Sequence, residues 1–174
     1  MTGKTELICR LILLENYFYM QYEPTFMESM YKSNIYIEGK LYNLELLDTA
    51  GSEEYYSLMD MWVSLGDSFM LVFAVDDKES FETTKKRREK IIKQKRRDVY
   101  QMILVGSKQD LENERKVSYN EAKALADSWG ISYIETSAKT NYNCKESFEI
   151  LIKDFIRRKN KNKKKKTIED CIIF

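Results

Sequence analysis

Four short polar clusters in this chain have residue types and spacing suited to holding a nucleoside phosphate. Gly3-Lys4-Thr5 stands just before an apolar stretch that begins at Leu7. A glycine at such a turn lets backbone approach a phosphate. The lysine beside it can reach the β- and γ-phosphates, and the threonine hydroxyl can ligate Mg2+. Alone, the tripeptide is a weak signal. Asp48-Thr49-Ala50-Gly51 follows the apolar run Leu41 to Leu47. An aspartate at a strand end can orient the shell of a Mg2+ ion, and a glycine there lets a backbone N–H meet a terminal phosphate. An ordinary turn would look the same. Ser107-Lys108-Gln109-Asp110 comes after the run that ends Val105-Gly106. A carboxylate there can accept from the N1 and N2 donors of guanine, a pattern adenine lacks. Ser137-Ala138-Lys139 follows a short apolar run at Tyr133 and Ile134.

A different chemistry stands at the other end. Cys171-Ile172-Ile173-Phe174 has the spacing of a prenylation box, and a final Phe leans towards geranylgeranyl over farnesyl. A single lipid chain binds a bilayer only reversibly, so stable anchoring takes a second signal. Arg157 to Lys166 supplies one, with eight Lys/Arg and no acid. The expectation is a body held on the cytoplasmic face of a membrane, the plasma membrane with its anionic inner leaflet first, with Cys171 as the lipidation site.

Composition narrows the field. The 174 residues are 43% hydrophobic and 33% charged, which suits one domain with a sizeable core. A single Pro and six Gly leave no linker that would divide it. There is no His and there are three Cys, so a zinc site or a His-based triad is excluded in practice. Cys9 and Cys144 make no disulfide framework beside Cys171, which fits a reducing compartment. The net charge of +1 hides segregation. Lys85 to Arg97 holds nine Lys/Arg and one acid, and the remainder of the body is acidic. A solvated helix face explains the run most simply, with contact to anionic lipid as a sharper alternative. Nucleic-acid binding is disfavoured, because no aromatic residues interleave with these charges.

The elements that must position the clusters alternate along the chain. Leu7 to Leu14 reads as a helix opened by Gly3-Lys4-Thr5. Ser29 to Ile37 and Leu41 to Leu47 flank Glu38-Gly39-Lys40 and read as a hairpin. Phe69 to Val75 and Met102 to Val105 read as strands buried on both faces, with the basic helix between them. Ser118-Tyr119-Asn120-Glu121 is a capping box before Ala122, Leu125, Ala126 and Trp129 at helical spacing. Tyr133 and Ile134 make a last short strand. Phe148, Leu151, Ile152, Phe155 and Ile156 stripe a closing helix. This pattern is an α/β domain with a mostly parallel sheet flanked by helices. Such sheets bind ligands at loops beyond the carboxyl ends of their strands, where every cluster above falls. The domain is expected over residues 1–158, with 159–174 a disordered polybasic tail.

Together the clusters resemble a Ras-family small GTPase of the Ras/Rap type. The specific stretches are Tyr22-Glu23-Pro24-Thr25, Asp48 to Tyr55, Ser107 to Asp110, and Glu135-Thr136-Ser137-Ala138-Lys139. The resemblance implies a P-loop NTPase-like G domain that binds GTP and GDP with Mg2+ and hydrolyses GTP. It implies a metal set of Thr5, Thr25 and Asp48, and catalytic contributions from Lys4, Thr25, Gly51 and Ser52. Phe18 would pack edge-on against guanine, and Lys108 would lie along the base. Asp110 would select the base, the Ala138 N–H would meet its O6, and Gly3, Ser107, Ser137 and Lys139 would complete the pocket. An effector loop would comprise Tyr22, Glu23, Pro24, Thr25, Phe26, Met27, Glu28, Ser29 and Met30. Partners implied are effectors, an exchange factor, a GTPase-activating protein and the inner-leaflet membrane. The switch would be an order–disorder change as the γ-phosphate and Mg2+ hold and release two loops.

The chain also departs from that pattern. Gly3 is two residues from Met1, whereas the family places a strand and the front of G-x-x-x-x-G-K-[ST] ahead of it. Either the front is incomplete, or the protein has a damaged site with two strand edges left open. Ser52 replaces a Gln that orients the attacking water, which implies slow hydrolysis. Ser107 replaces an Asn, which implies weaker binding and faster exchange. Met27 and Met30 put the effector set in doubt. A non-cycling, membrane-tethered effector-binding protein is therefore the alternative to a GTP/GDP switch.

Overall fold

The computed structural model describes residues 3–12, 29–49, 56–95, 100–161 and 170–173. Helix α1 (Lys4–Ile12) is opened by Gly3 at φ +68, a left-handed conformation that glycine adopts without penalty. Strands β1 (Ser29–Ile37) and β2 (Lys40–Asp48) pair antiparallel from Ser29↔Asp48 to Ile37↔Lys40. Glu38 and Gly39 between them both have positive φ, as a two-residue type I′ turn requires. Next come α2 (Tyr56–Leu65), which no sequence pattern announced, β3 (Ser68–Ala74) and the basic helix α3 (Lys78–Lys95). They are followed by β4 (Gln101–Ser107), α4 (Tyr119–Trp129), β5 (Ser132–Glu135), α5 (Cys144–Lys161) and β6 (Asp170–Ile173). The start of α4 is capped by Ser118, whose side chain accepts from the Glu121 N–H at 3.2 Å. The helix ends at Gly130, in the left-handed conformation.

The sheet order is β1-β2-β6-β3-β4-β5. Strands β3, β4 and β5 are parallel neighbours. Both of their faces are covered, which is why β3 and β4 read as continuous apolar runs. Period-2 alternation sends Ile103 and Val105 of β4 into one core with Leu7, Leu44, Leu46, Phe148, Leu151 and Phe155. Met102 and Leu104 go to the other face with Phe69, Phe73, Phe81 and Ala122. Each such fully buried Leu or Phe contributes roughly 2 kcal/mol. Among the described residues no helix is long and apolar enough to cross a membrane.

The structure differs from the expected tail. The boundary at 158 falls inside α5, which runs to Lys161. The backbone of Asp170–Ile173 is a strand parallel to β2, from Asn43↔Asp170 to Leu46↔Ile173, and it meets β3 at Ser68↔Ile173. Two facing edges within a sheet leave unpaired N–H and C=O groups, which a short segment of β-favouring residues can satisfy. Cys-Ile-Ile has that propensity. The edges expected to stand open between β2 and β3 are thus bridged by the chain's own C-terminal segment.

Candidate functional site

The phosphate-type cluster is assembled at the amino end of α1, where the helix dipole favours negative charge. The Thr5 hydroxyl donates to Asp48 Oδ2 at 2.5 Å, and Asp48 is almost wholly buried at the end of β2. Lys4 Nζ donates to the Thr49 carbonyl at 2.5 Å and to Thr49 Oγ1 at 3.2 Å. Its pKa is lowered to about 8, first by burial and then by the Arg87 charge, with Asp48 pulling the other way. A cation held so reluctantly gains from a phosphate partner. The hydroxyl of Thr5 and the carboxylate of Asp48 are hard oxygen donors that fit Mg2+. Among the described residues no group of three or more His, Cys, Asp or Glu could hold a metal.

The base-type cluster lies at the carboxyl ends of β4 and β5. Ser137 Oγ donates to Asp110 Oδ1 at 2.5 Å, and Gln109 N–H donates to the Thr136 carbonyl at 3.0 Å, so the two loops are stitched together. Lys108 has φ +61 and forms an ion pair with Asp76 at 2.9 Å. Ser107 is buried, and its hydroxyl donates to the Phe73 carbonyl at 2.9 Å. Beneath these loops Gly106 lies in a tight place, where an added Cβ would make its neighbours shift. A Cβ there would come within 2.8 Å of the Tyr133 hydroxyl and 3.2 Å of the Phe73 ring. The Tyr133 hydroxyl in turn donates to Glu135 at 2.7 Å. Glu135 also accepts a bidentate pair from Arg115 at 2.8 and 2.9 Å. Burial and that carboxylate together push the Tyr133 pKa up.

The two clusters meet. The position a Cβ would take on Gly3 is 3.5 Å from Ser107 Oγ. Lys4, Thr5, Asp48, Ser107, Lys108, Asp110, Ser137, Ala138 and Lys139 therefore belong to one corner of the molecule. Phe18, Tyr22, Glu23, Pro24, Thr25, Phe26, Met27, Glu28, Gly51 and Ser52 lie outside the described residues. Ser29 begins β1, and Met30 beside it is exposed. Cys171 is placed by its backbone in β6, in register with Leu44. A groove of about 800 Å³, lined by Gln101, Asp127, Tyr133 and Arg158 among others, opens at the amino ends of β4 and β5, away from this corner.

Sequence reasoning missed three side chains here. Asp76, just past β3, pairs with Lys108. Glu6 has a buried carboxylate oxygen with no hydrogen-bond partner among the described residues, 3.9 Å from the Gly3 Cβ position. Arg10 reaches from α1 to the Ala138 and Lys139 carbonyls. Glu6 was visible as an acid directly after Gly3-Lys4-Thr5. No sequence signal tied Asp76 or Arg10 to a loop so distant along the chain.

Known proteins are similar to this chain in sequence. The Ras family model matches residues 1–157. Protein ras-1 of Neurospora crassa is 41% identical over 159 residues, covering 91% of this chain and 73% of its own. The Ras-related protein O-RAL of Diplobatis ommata is 38% identical over 169 residues, covering 94% and 81%. The Ras-like protein rasC of Dictyostelium discoideum is 37% identical over 161 residues, covering 92% and 83%. The family match over residues 1–157, with relatives at 37–41% identity, makes the chain a member of the Ras family of small GTPases, with their P-loop NTPase-like fold.

Proposed function

We propose that this protein is a membrane-anchored GTP/GDP switch whose intrinsic hydrolysis is slow. The observation that carries the reading is the meeting of the phosphate-type and base-type clusters at Gly3 and Ser107. One nucleotide would span both. Lys4 would neutralise the β- and γ-phosphates, while Thr5 and Asp48, with Thr25, would hold Mg2+. Mg2+ would supply charge neutralisation at the β- and γ-oxygens. Asp110, oriented by Ser137, would accept from guanine N1 and N2, and Lys108, oriented by Asp76, would flank the base. With Ser52 in place of a longer amide side chain, the attacking water would be poorly held, so the GTP state would persist. Effectors would read the loop from Tyr22 to Met30.

The purified chain tests this directly. GDP or GTP with Mg2+ should raise its stability by about 2.7 kcal/mol at a hundredfold excess over Kd. ADP should not, and Asp110→Asn should abolish the preference. A single-turnover assay with Ser52→Gln should show faster hydrolysis.

Anchoring would use a prenyl group on Cys171 with the polybasic run before it. Residues 170–173 would have to leave the sheet to reach a prenyl transferase and then a bilayer, because their backbone groups pair with β2 and β3. Flotation of the prenylated chain with phosphatidylserine vesicles, weakened by salt, tests this part.

A second reading, a tethered effector-binding protein that does not cycle, is favoured by Glu6. A carboxylate beside the phosphate loop repels the ligand that loop would bind. Absence of any stabilisation by guanine nucleotides would select it.

A further inference from the structure

We propose that Arg10 is a positioning residue for guanine recognition, fixing the Ala138 backbone from the phosphate-type helix. Arg10 lies six residues beyond Lys4 on α1. It is only 9% exposed. Its Nε donates to the Ala138 carbonyl at 2.6 Å, and its Nη2 donates to the Lys139 carbonyl at 3.2 Å. A planar guanidinium is suited to hold two successive carbonyls at once, which a flexible ammonium is not.

The rest of the loop is restrained from the other side. The Ser137 carbonyl accepts from the Tyr142 N–H at 3.0 Å and from the Cys144 thiol at 3.3 Å. The Ser137 N–H donates to the Tyr142 carbonyl at 3.0 Å, and the Thr140 N–H donates to Ser137 Oγ at 3.2 Å. The peptide between Ser137 and Ala138 is planar and trans, so anchoring its carbonyl turns the Ala138 N–H to the opposite side. That plane still rotates about the bonds of Ala138 unless the next peptide is held too. Arg10 holds the next peptide. Two anchored carbonyls flank one amide, and no acceptor among the described residues takes the Ala138 N–H.

The ligand class this serves is a purine with a 6-oxo group, to which a fixed N–H can donate. The inference rests on the proposed nucleotide site. It goes beyond it in making base discrimination depend on a residue of the helix that begins at Lys4.

The experiment compares GDP with the diphosphate of 2-aminopurine riboside, which keeps the 2-amino group and lacks both the 6-oxo group and the N1 proton, a difference at Asp110 that is the same in every Arg10 variant. Affinities are measured by calorimetry for the full chain and for Arg10→Met, Arg10→Lys and Arg10→Gln. The wild type should prefer GDP. In Arg10→Met the GDP affinity should fall about tenfold, as for loss of one well-placed hydrogen bond, while affinity for the analogue stays within twofold. Arg10→Lys, which keeps the charge and loses the fork, should fall between. A residue that merely supports the fold would weaken both ligands alike, and that result overturns the proposal. Unchanged preference in all three variants overturns it as well. Failure of the wild type to bind either ligand removes the nucleotide reading first, and the inference with it. If Arg10→Met does not fold, the Lys and Gln variants carry the same comparison.

Discussion

The corner of the base-type loops and the β2–β6–β3 seam are built in opposite ways. At the corner, the loops after β4 and β5 are tied by contacts among side chains and backbone from five elements. Arg10 comes from α1, Asp76 from the end of β3, Arg115 from the stretch before α4, Glu135 from β5 and Cys144 from α5. At the seam, four residues bridge two strands through backbone pairing, with a full register to β2 and a single pairing to β3. At the corner the two loops are therefore held from several sides at once. The seam depends on a segment that the anchoring proposal also needs elsewhere.

Substitutions can break or sharpen that contrast. The largest effect is expected at the framework under the corner. Glu135→Ala leaves the Arg115 guanidinium and the Tyr133 hydroxyl without their shared acceptor. Denaturant unfolding should show a loss of about 3–5 kcal/mol, the range for breaking a buried pair. A loss below 1 kcal/mol would make the corner no more constrained than the seam. Next is Ile172→Pro, which removes a ladder N–H and should cost about 1–3 kcal/mol. It should also speed amide hydrogen exchange in residues 170–173, whose backbone pairs with β2. Unaltered stability and exchange would mean that the strand contributes nothing to the fold in solution.

Smaller effects concern the site itself. Ser107→Asn should slow GDP release about fivefold, on the order of 1 kcal/mol, by adding an amide where only a hydroxyl now bonds the Phe73 carbonyl. Stopped-flow release of a fluorescent GDP checks it, and an equal or faster rate would count against the reading of Ser107. The smallest is a pH effect through Lys4. Its pKa of about 8 lies below the ordinary 10.5, so above pH 8 the ligand-free protein loses a proton that a bound phosphate would restore. Phosphate-ligand affinity should be full below pH 8 and decline above it. Calorimetry at pH 8.5 in buffers of different ionisation enthalpy should register fractional proton uptake. The sign for the fold is the reverse. Between about pH 8 and 10.5 the unfolded chain holds the proton that the folded chain has lost, so this group's contribution to stability rises with pH there.

Much of this was legible in the order of residues. Glu38-Gly39 announced the hairpin because glycine readily takes the positive φ that a tight two-residue turn between right-twisted strands uses. Ser118 announced α4, and the apolar runs announced β3 and β4, since burial on both faces leaves no polar alternation to read. Helix α2 went unmarked. Its Tyr56–Leu65 segment follows the Asp48 to Tyr55 motif without a cap or a periodic stripe that the sequence pattern marks.

What the sequence determined by itself was local. It set the types of residue at each loop, the caps and turns that begin and end elements, and the chemistry each cluster could perform. Those depend on side chains and backbone within a few positions of one another. Only the tertiary structure decided which clusters share a corner. It brought Gly3 against Ser107, Asp76 against Lys108 and Arg10 under Ala138, and it seated residues 170–173 between β2 and β3. Such contacts join positions far apart along the chain. They are fixed by which faces of the sheet and helices must be buried together and by which strand edges must be paired, and neither is written at any single position.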